Sequence, residues 1–284
     1  MAESTTRKKY ASDITDEQWA IIEPIVTGSQ REERRGRDRT ISLREVVNTI
    51  FYINRTGCQW ELLPHDLVAK STAYDYFAKW RDGGTWERIL TALRERIRVQ
   101  AGREATPSVV CIDSQSSKTT EVGGVERGYD GGKKIKGRKR HILVDVLGLL
   151  VAVVVTAANL DDGTAAPRVI ERMDVDGFPR MEVIFGDNKY NNKSLNAWME
   201  LERPGWRVAV QKPPAGTKGF SPIRIRWVVE RSNAWHSRCR RNSKDYERRT
   251  DSSESMIKVS HIGVMLRRCA PTTQPTFNYR AAET

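Results

Sequence analysis

The 284-residue sequence has little of what several protein classes require. No stretch approaches the roughly 20 consecutive apolar residues of a membrane-spanning helix. The longest apolar run, Val146 to Val155, is interrupted by Gly148 and is rich in β-branched residues, so it reads as strand. The four cysteines, Cys58, Cys111, Cys239 and Cys269, lie far apart and form no CxxC pair. That spacing argues against a zinc knuckle or a disulfide framework. With only 4 histidines there is no His/Cys cluster for a soft metal. The first residues lack the apolar segment of a signal peptide, so the expectation is a soluble cytoplasmic chain with reduced thiols.

What the sequence has in excess is positive charge. Lys and Arg number 48 against 36 Asp and Glu, a net charge of +12. An excess of this size points to a polyanionic partner, because neutralising phosphates releases condensed counterions. The acids are nevertheless too many for a purely electrostatic binder, which suggests that some of them work inside a basic groove.

The first hundred residues read as helical. Thr15-Asp-Glu-Gln18 is a capping-box pattern ahead of Trp19, Ile21, Ile22 and Ile25. Residues 27 to 40 read as a solvated connector. A second box, Ser42 to Glu45, opens a helix with Val46, Val47, Ile50, Phe51 and Ile53 inward, and Gly57 is its stop. After a polar link, Ser71 to Arg81 reads as a short helix, followed past Gly83-Gly84 by an amphipathic helix carrying Trp86, Ile89, Leu90, Leu93 and Ile97. The order resembles a helix-turn-helix, with Tyr74, Lys79 and Arg81 as candidate DNA contacts and Phe77 and Trp80 as core. An ordinary helical bundle fits the same pattern. Residues 98 to 107 lack periodicity and mark a boundary.

Beyond it come strands that carry carboxylates. Ser108 to Asp113 is an apolar run ending on an acid, and Met181 to Asp187 repeats the arrangement. Asp at a strand end is either a metal ligand presented from a rigid element or a turn former. Between them, six of the eight residues from Lys133 to Arg140 are basic, namely Lys133, Lys134, Lys136, Arg138, Lys139 and Arg140. This stretch reads as a glycine-bearing loop that contacts the DNA backbone, or else as a solvated charged loop. Residues 142 to 156 read as a hairpin turning near Asp145 to Gly148, with Asp145 structural. A crossover helix (164 to 173), a strand, another helix and the strand from Trp206 follow, and then, past Pro213-Pro214, the helix from Arg224 to Arg241.

That last stretch divides on a helical wheel. Val228, Trp235 and Cys239 form an apolar stripe opposite Arg226, Glu230, Asn233, Ser237 and Arg241. A surface helix with an Arg226 to Glu230 ion pair explains the pattern as well as a carboxylate set in a positive field does. The overall order predicts an α/β fold: an RNase H-like mixed sheet flanked by helices, preceded by an all-α helix-turn-helix-like region. The divisions are 1–100 helical and DNA-binding, 101–107 linker, 108–250 catalytic, and 251–284 a helical or irregular tail. In such a sheet Asp113 and Asp187 come close, and Glu230 reaches in from the last helix.

Three motifs carry a family resemblance: Asp113-Ser-Gln-Ser-x-Lys-Thr-Thr-Glu, Gly128-Tyr-Asp-Gly-Gly-Lys-Lys-Ile-Lys-Gly-Arg-Lys-Arg-His-Ile-Leu-Val-Asp, and Trp227-Val-Val-Glu-Arg. With Lys244-Asp-Tyr-Glu and Ser71-Thr-x-Tyr-x-Tyr-Phe-x-x-Trp80, they resemble bacterial insertion-sequence transposases of the DDE type, nearest to the insertion-sequence-five family. The resemblance implies a catalytic and metal-binding triad of Asp113, Asp187 and Glu230, two Mg²⁺ ions (with Mn²⁺ as a substitute), and terminal inverted repeats and target DNA as double-stranded partners. It also implies a homodimer or higher oligomer on DNA, associated with the nucleoid and with no membrane. Relatives carry Tyr-x2-Arg-x3-Glu-x6-Lys. Here Arg226 and Glu230 fill the Arg and Glu positions, Ile223 replaces the Tyr and Ser237 the Lys, with Arg238 as a stand-in. Arg231, Arg238 and Arg241 join Arg226 as expected DNA contacts. Asp187-Asn188-Lys189-Tyr190 departs from the usual Asp-x-Gly-Tyr. An endonuclease without strand transfer and a catalytically inactive DNA-binding relative are the alternative functions.

Overall fold

The computed structural model describes residues 7–28, 41–210 and 224–271, the side chains of 224–226 excepted. The connector around residues 29–40, the Pro213-Pro214 break, Ile223 and the Arg226 side chain lie outside the described residues.

Four helices open the chain: α1 (Asp16–Gly28), α2 (Leu43–Thr56), α3 (Lys70–Asp82) and α4 (Thr85–Gln100). The first capping box forms. The Gln18 backbone N–H donates to Thr15 Oγ1, and the Thr15 N–H donates to Gln18 Oε1, both at 3.2 Å. The second does not, because Glu45 is drawn away to Arg7 at 2.7 Å and to Asn48 at 2.8 Å. Gly57 ends α2 in the left-handed region at φ 74°, where a side chain would be strained.

The sheet follows: β1 (Val109–Lys118), β2 (Gly128–Asp130), β3 (Ile135–Asp145), β4 (Leu150–Ala157), β5 (Val183–Gly186) and β6 (Arg207–Val210). β1 is central. It pairs antiparallel with β3 on one side and parallel with β5 on the other, and β6 lies beyond β5. The outer edge of β3 is shared by β2, against Ile135 to Gly137, and β4, against Arg138 to Val144. Three antiparallel strands followed by parallel additions across helical crossovers make an RNase H-like sheet. α5 (Asp162–Ile170) and α6 (Lys193–Glu202) supply the crossovers. Each begins at a side-chain cap: Asp161 accepts from the Gly163 and Thr164 N–H groups, and Asn192 from that of Leu195.

Strand alternation sends successive residues to opposite faces. Val110, Ile112, Leu143, Val154 and Ile184 pack under α5 and α6. Cys111, Ile142, Val144, Val153 and Val155 meet α8 (Thr250–Cys269) and the N-terminal helices in one continuous core. The C-terminal segment, read from sequence as a tail, thus contributes a 20-residue helix with Met256, Ile257, Ile262 and Met265 almost wholly buried. α7 (Arg224–Ser237) lies beside it on the same face.

Candidate active site

Asp113 sits within β1, not at its end, because the strand continues through polar Ser114 to Lys118 against β3. The last parallel pair of β1 and β5 is Cys111 with Phe185. Asp113 and Asp187 each lie two residues further on, on neighbouring strands spaced about 4.8 Å apart. Both are partly exposed, and Asp187 caps a short 3-10 turn, Asn188–Tyr190, by accepting from the Lys189 N–H at 2.9 Å. Asp113 is also reached from α7: Asn233 Nδ2 donates to Asp113 Oδ2 at 3.2 Å.

That contact comes from the face on which the sequence placed Asn233 and Glu230, but the burial of α7 departs from the expected stripe. Its buried side is Val229, Ser232, Asn233 and His236, while Val228 and Trp235 are only half-buried. Of the expected stripe only Cys239 is buried, and it lies past the helix end. The helix docks by polar groups: Ser232 Oγ donates to the Gly148 carbonyl at 3.0 Å, and His236 Nδ1 meets His261 Nε2 at 3.1 Å. Gly148 lets the turn approach, since a Cβ there would lie 2.9 Å from Ser232 Oγ and φ is 79°. Glu230, one turn before Asn233, is exposed. Among the described residues, no three His, Cys, Asp or Glu side chains are gathered closely enough to hold a metal ion. The structure therefore brings Asp113 and Asp187 to neighbouring strand positions and does not bring Glu230 into a closed triad with them.

The donor chemistry still fits a hard dication at this pair. All the groups are oxygens, and Asn233 Oδ1 is a buried acceptor with no hydrogen-bond partner beside Asp113. Tyr190 ends the turn that follows Asp187. Its hydroxyl is buried with no hydrogen-bond partner, and its pKa is raised well above 10 by burial, with Asp113, Asp162 and Asp187 adding to the shift.

Sequence reasoning missed the polar network on the other face of β1. Asp162, at the start of α5, is 3% exposed. Its Oδ1 accepts from Ser114 Oγ at 2.8 Å and from Lys139 Nζ at 2.9 Å, and its Oδ2 from Lys189 Nζ at 2.8 Å. Burial opposes ionisation here, but hydrogen bonds from Lys189, Lys139 and Ser114 outweigh it and hold the carboxyl well below its ordinary pKa. The only signal in the sequence was the run of acids, Asp161-Asp162, at a helix start.

The basic stretch divides. Lys133, Lys134 and Lys136 are exposed. With Lys118, Arg127 and Tyr129 (56% exposed), Lys134 and Lys136 line an open cleft at the β2 edge. Arg138, Lys139 and Arg140 are not the loop residues the sequence suggested; they belong to β3 and are interior. Arg138 donates to Asp245 at 3.1 Å, to the Glu247 and Arg248 carbonyls at 2.8 and 2.7 Å, and to the Val125 carbonyl at 2.7 Å. Arg140 donates to the Asn242 and Lys244 carbonyls at 2.8 and 3.1 Å, and Lys139 to Asp162 and to the Leu160 carbonyl. Three expected DNA contacts are therefore corrected to structural cations.

Three other expected DNA contacts are engaged within the protein, Arg241 buried and Arg231 and Arg81 partly exposed. Arg241 is buried against Glu247 at 2.7 Å and the Cys58 carbonyl at 3.2 Å. The Arg231 guanidinium lies between Trp227 and Trp235, 4.7 and 4.9 Å from the ring centroids, and donates to the Leu147 carbonyl. Arg81 points inward to Ser252 at 2.9 Å, tying α3 to α8. Arg238 and Tyr74 are exposed, although Tyr74 also packs edge-on against Trp60, and Lys79 is half-buried and engaged. Asp145, read as structural, is fully buried against Arg98 at 2.6 Å and caps the turn through the Leu147 and Leu149 N–H groups.

Comparison with known proteins decides the family. A family model described as "Transposase DDE domain" matches residues 104–262. The chain belongs to that family of insertion-sequence DDE transposases. A second model, "Putative transposase of IS4/5 family", matches residues 14–90. Two relatives come from Burkholderia cepacia. The insertion element IS402 uncharacterized 16.2 kDa protein is 29% identical over 114 residues, covering 39% of this chain and 76% of the relative. The "Putative transposase for insertion sequence element IS402" is 30% identical over 129 residues, covering 43% of this chain and only 60% of the relative. No solved structure matches the chain.

Proposed function

We propose that this transposase binds the terminal inverted repeats of its element, cleaves phosphodiester bonds there and joins the freed 3′-OH ends to target DNA. The observation that carries the reading is the in-register parallel pairing of β1 and β5, with Asp113 and Asp187 two residues past their last bridge and α7 fastened to Asp113 through Asn233. Asp113, Asp187 and Glu230 are the residues that would hold two Mg²⁺ ions. Bound there, the ions would activate the entering oxygen and stabilise the leaving one in an in-line displacement at phosphorus. The protein's own part is to fix the acids. β1 and β5 hold the two aspartates on a rigid sheet, Asn233 orients Asp113, and α7 carries Glu230 one turn away. Exposed Lys133, Lys134, Lys136 and Arg238 supply phosphate contacts, and α1 to α4 form a DNA-binding region with Tyr74 at its surface. The active assembly is a homodimer or higher oligomer on DNA.

The test is Asp113→Asn. It abolishes Mg²⁺-dependent cleavage of a duplex carrying the element end while leaving binding to that duplex largely intact. Undiminished cleavage by the variant sinks the assignment. A second reading, a DNA-binding relative without catalysis, is favoured by the exposed Glu230 and the ungathered triad. Metal-dependent nicking by the unmodified chain rules it out.

A further inference from the structure

The side chain that interrupts the Asp-x-Gly-Tyr pattern is built into a cluster of ammonium groups beside the aspartate pair. Lys189 lies two residues after Asp187, and its side chain is 54% exposed although its Nζ bonds buried Asp162. Asp162 has no need of it for charge balance, because Lys139, almost fully buried, already sits 2.9 Å from the same carboxylate. A third ammonium completes the group: Lys133 Nζ donates to the Ser114 carbonyl at 3.3 Å, one residue along β1 from Asp113. Lys133 is itself placed by Asp130, which accepts from its backbone N–H at 3.0 Å and from Ser116 Oγ at 2.5 Å.

The turn that carries Lys189 is packed closely against its neighbour. The turn bearing Lys189 packs on the start of α5 so closely that a Cβ on Gly163 would lie 2.3 Å from Asn192 Nδ2 and 2.7 Å from the Lys189 carbonyl. Two of the cluster's three ammonium groups face solvent, and the third is committed to the interior. Such an arrangement suits a diffuse polyanion lying across the strand ends, where Lys189 could turn from Asp162 to a phosphate and leave Lys139 as the counter-charge. We propose that Lys189 and Lys133 form a DNA-phosphate subsite flanking Asp113 and Asp187. Lys189, standing where the pattern has Gly, is then a working part of the binding face. The inference rests on the DNA-processing reading above, adds Lys189 as a contact and places Lys133 beside it next to the aspartate pair.

The experiment uses the full chain, a mixed-sequence DNA duplex and a buffer containing EDTA, with affinity measured across a salt series. Lys189→Gln is expected to lower the slope of log affinity against log salt by about 0.9, one phosphate's worth. Lys133→Gln, which removes no partner from a buried carboxylate, is expected to do the same. Lys189→Arg keeps the slope. Unchanged slopes in both glutamine variants overturn the proposal and leave Lys189 as a partner of Asp162 alone. A parent chain whose affinity does not fall with salt overturns the DNA reading together with the subsite, so the two failures are distinguishable.

Discussion

Within one basic stretch, Lys133 to Lys136 and Arg138 to Arg140 have the same charge and opposite fates. The first group flanks a short edge strand and faces solvent. The second lies where β3 is paired on both sides, by β1 and by β4, and where helices or loops cover both faces. Alternation then sends Arg138 and Arg140 to the α8 face and Lys139 and His141 to the α5 face. A charge in such a place must be paired or hydrogen-bonded. Arg138 and Lys139 have carboxylate partners, and Arg140 has carbonyls, with its Nε left without a hydrogen-bond partner. Arg138 meets Asp245 and Arg140 the carbonyls of residues 242 and 244, so the basic motif and Lys244-Asp-Tyr-Glu are two halves of one interior network. The lesson is that a run of positive charge indicates nucleic acid only where the backbone leaves it at the surface.

The largest way to break this comparison is Arg138→Met. It strands Asp245 and several carbonyls without their donor, and breaking a buried ion pair from one side costs about 3–5 kcal/mol. Urea denaturation should show that loss for Arg138→Met and none resolvable for Lys134→Met. Equal stability of the two variants would mean that Arg138 is not an interior staple.

The histidines sharpen it next. His141 is fully buried on β3 with Nε2 3.0 Å from Thr156 Oγ1, and burial lowers its pKa to about 4 despite nearby Asp162; Lys139, Arg168 and Lys133 push the same way as burial. His261 is likewise lowered to about 4 by burial, and His236 well below 6.5 by burial, with His261 and Arg140 adding to the shift. A group whose folded pKa is depressed favours the unfolded chain once protons become available. The contribution of His141 and His261 is complete above about pH 6.5 and is lost as pH falls toward about 4, by up to about 1.4 kcal/mol per pH unit for each, and His236 acts in the same direction. The carboxyl of Asp162 shifts at lower pH and does not confuse this window. Unfolding free energies measured from pH 8 to pH 4.5 should therefore fall with acid, and His141→Gln should flatten the fall. A level profile in the parent chain contradicts the neutral, buried assignment.

How much of this was legible in the sequence follows the same division. Helices with a clear apolar period, such as α2 and α4, and the hairpin at Asp145 to Gly148 could be read because burial there is apolar. β1 could not be followed past Asp113, since Ser114 to Lys118 is polar and gains its strand form only from β3. The buried side of α7 was misread for a related reason: apart from Val229 its docking face is polar, Ser232, Asn233 and His236, and the apolar stripe of Val228, Trp235 and Cys239 drew the eye away from it. The neighbouring strand positions of Asp113 and Asp187 were legible because each follows a short apolar strand. Asn233 and Asp162 were not, because a polar residue placed by long-range hydrogen bonds has no local pattern.

The smallest expected effect tests the exposed half directly. Lys136 faces the cleft shared with Lys118, Arg127 and Tyr129, and it can be changed without removing any partner from the interior. Lys136→Gln should leave the unfolding midpoint unmoved and lower the salt slope of DNA binding by about 0.9. Its effect on affinity should be alike for cognate and unrelated duplexes, since a phosphate contact positions the protein without reading bases. If the slope is unchanged while the stability is too, the cleft lies off the path of the DNA, and exposure has to be judged residue by residue along β2 and β3. If instead the slope falls, the two halves of the stretch are separated by function as they are by burial: one binds the nucleic acid, the other holds up the sheet from which it is bound.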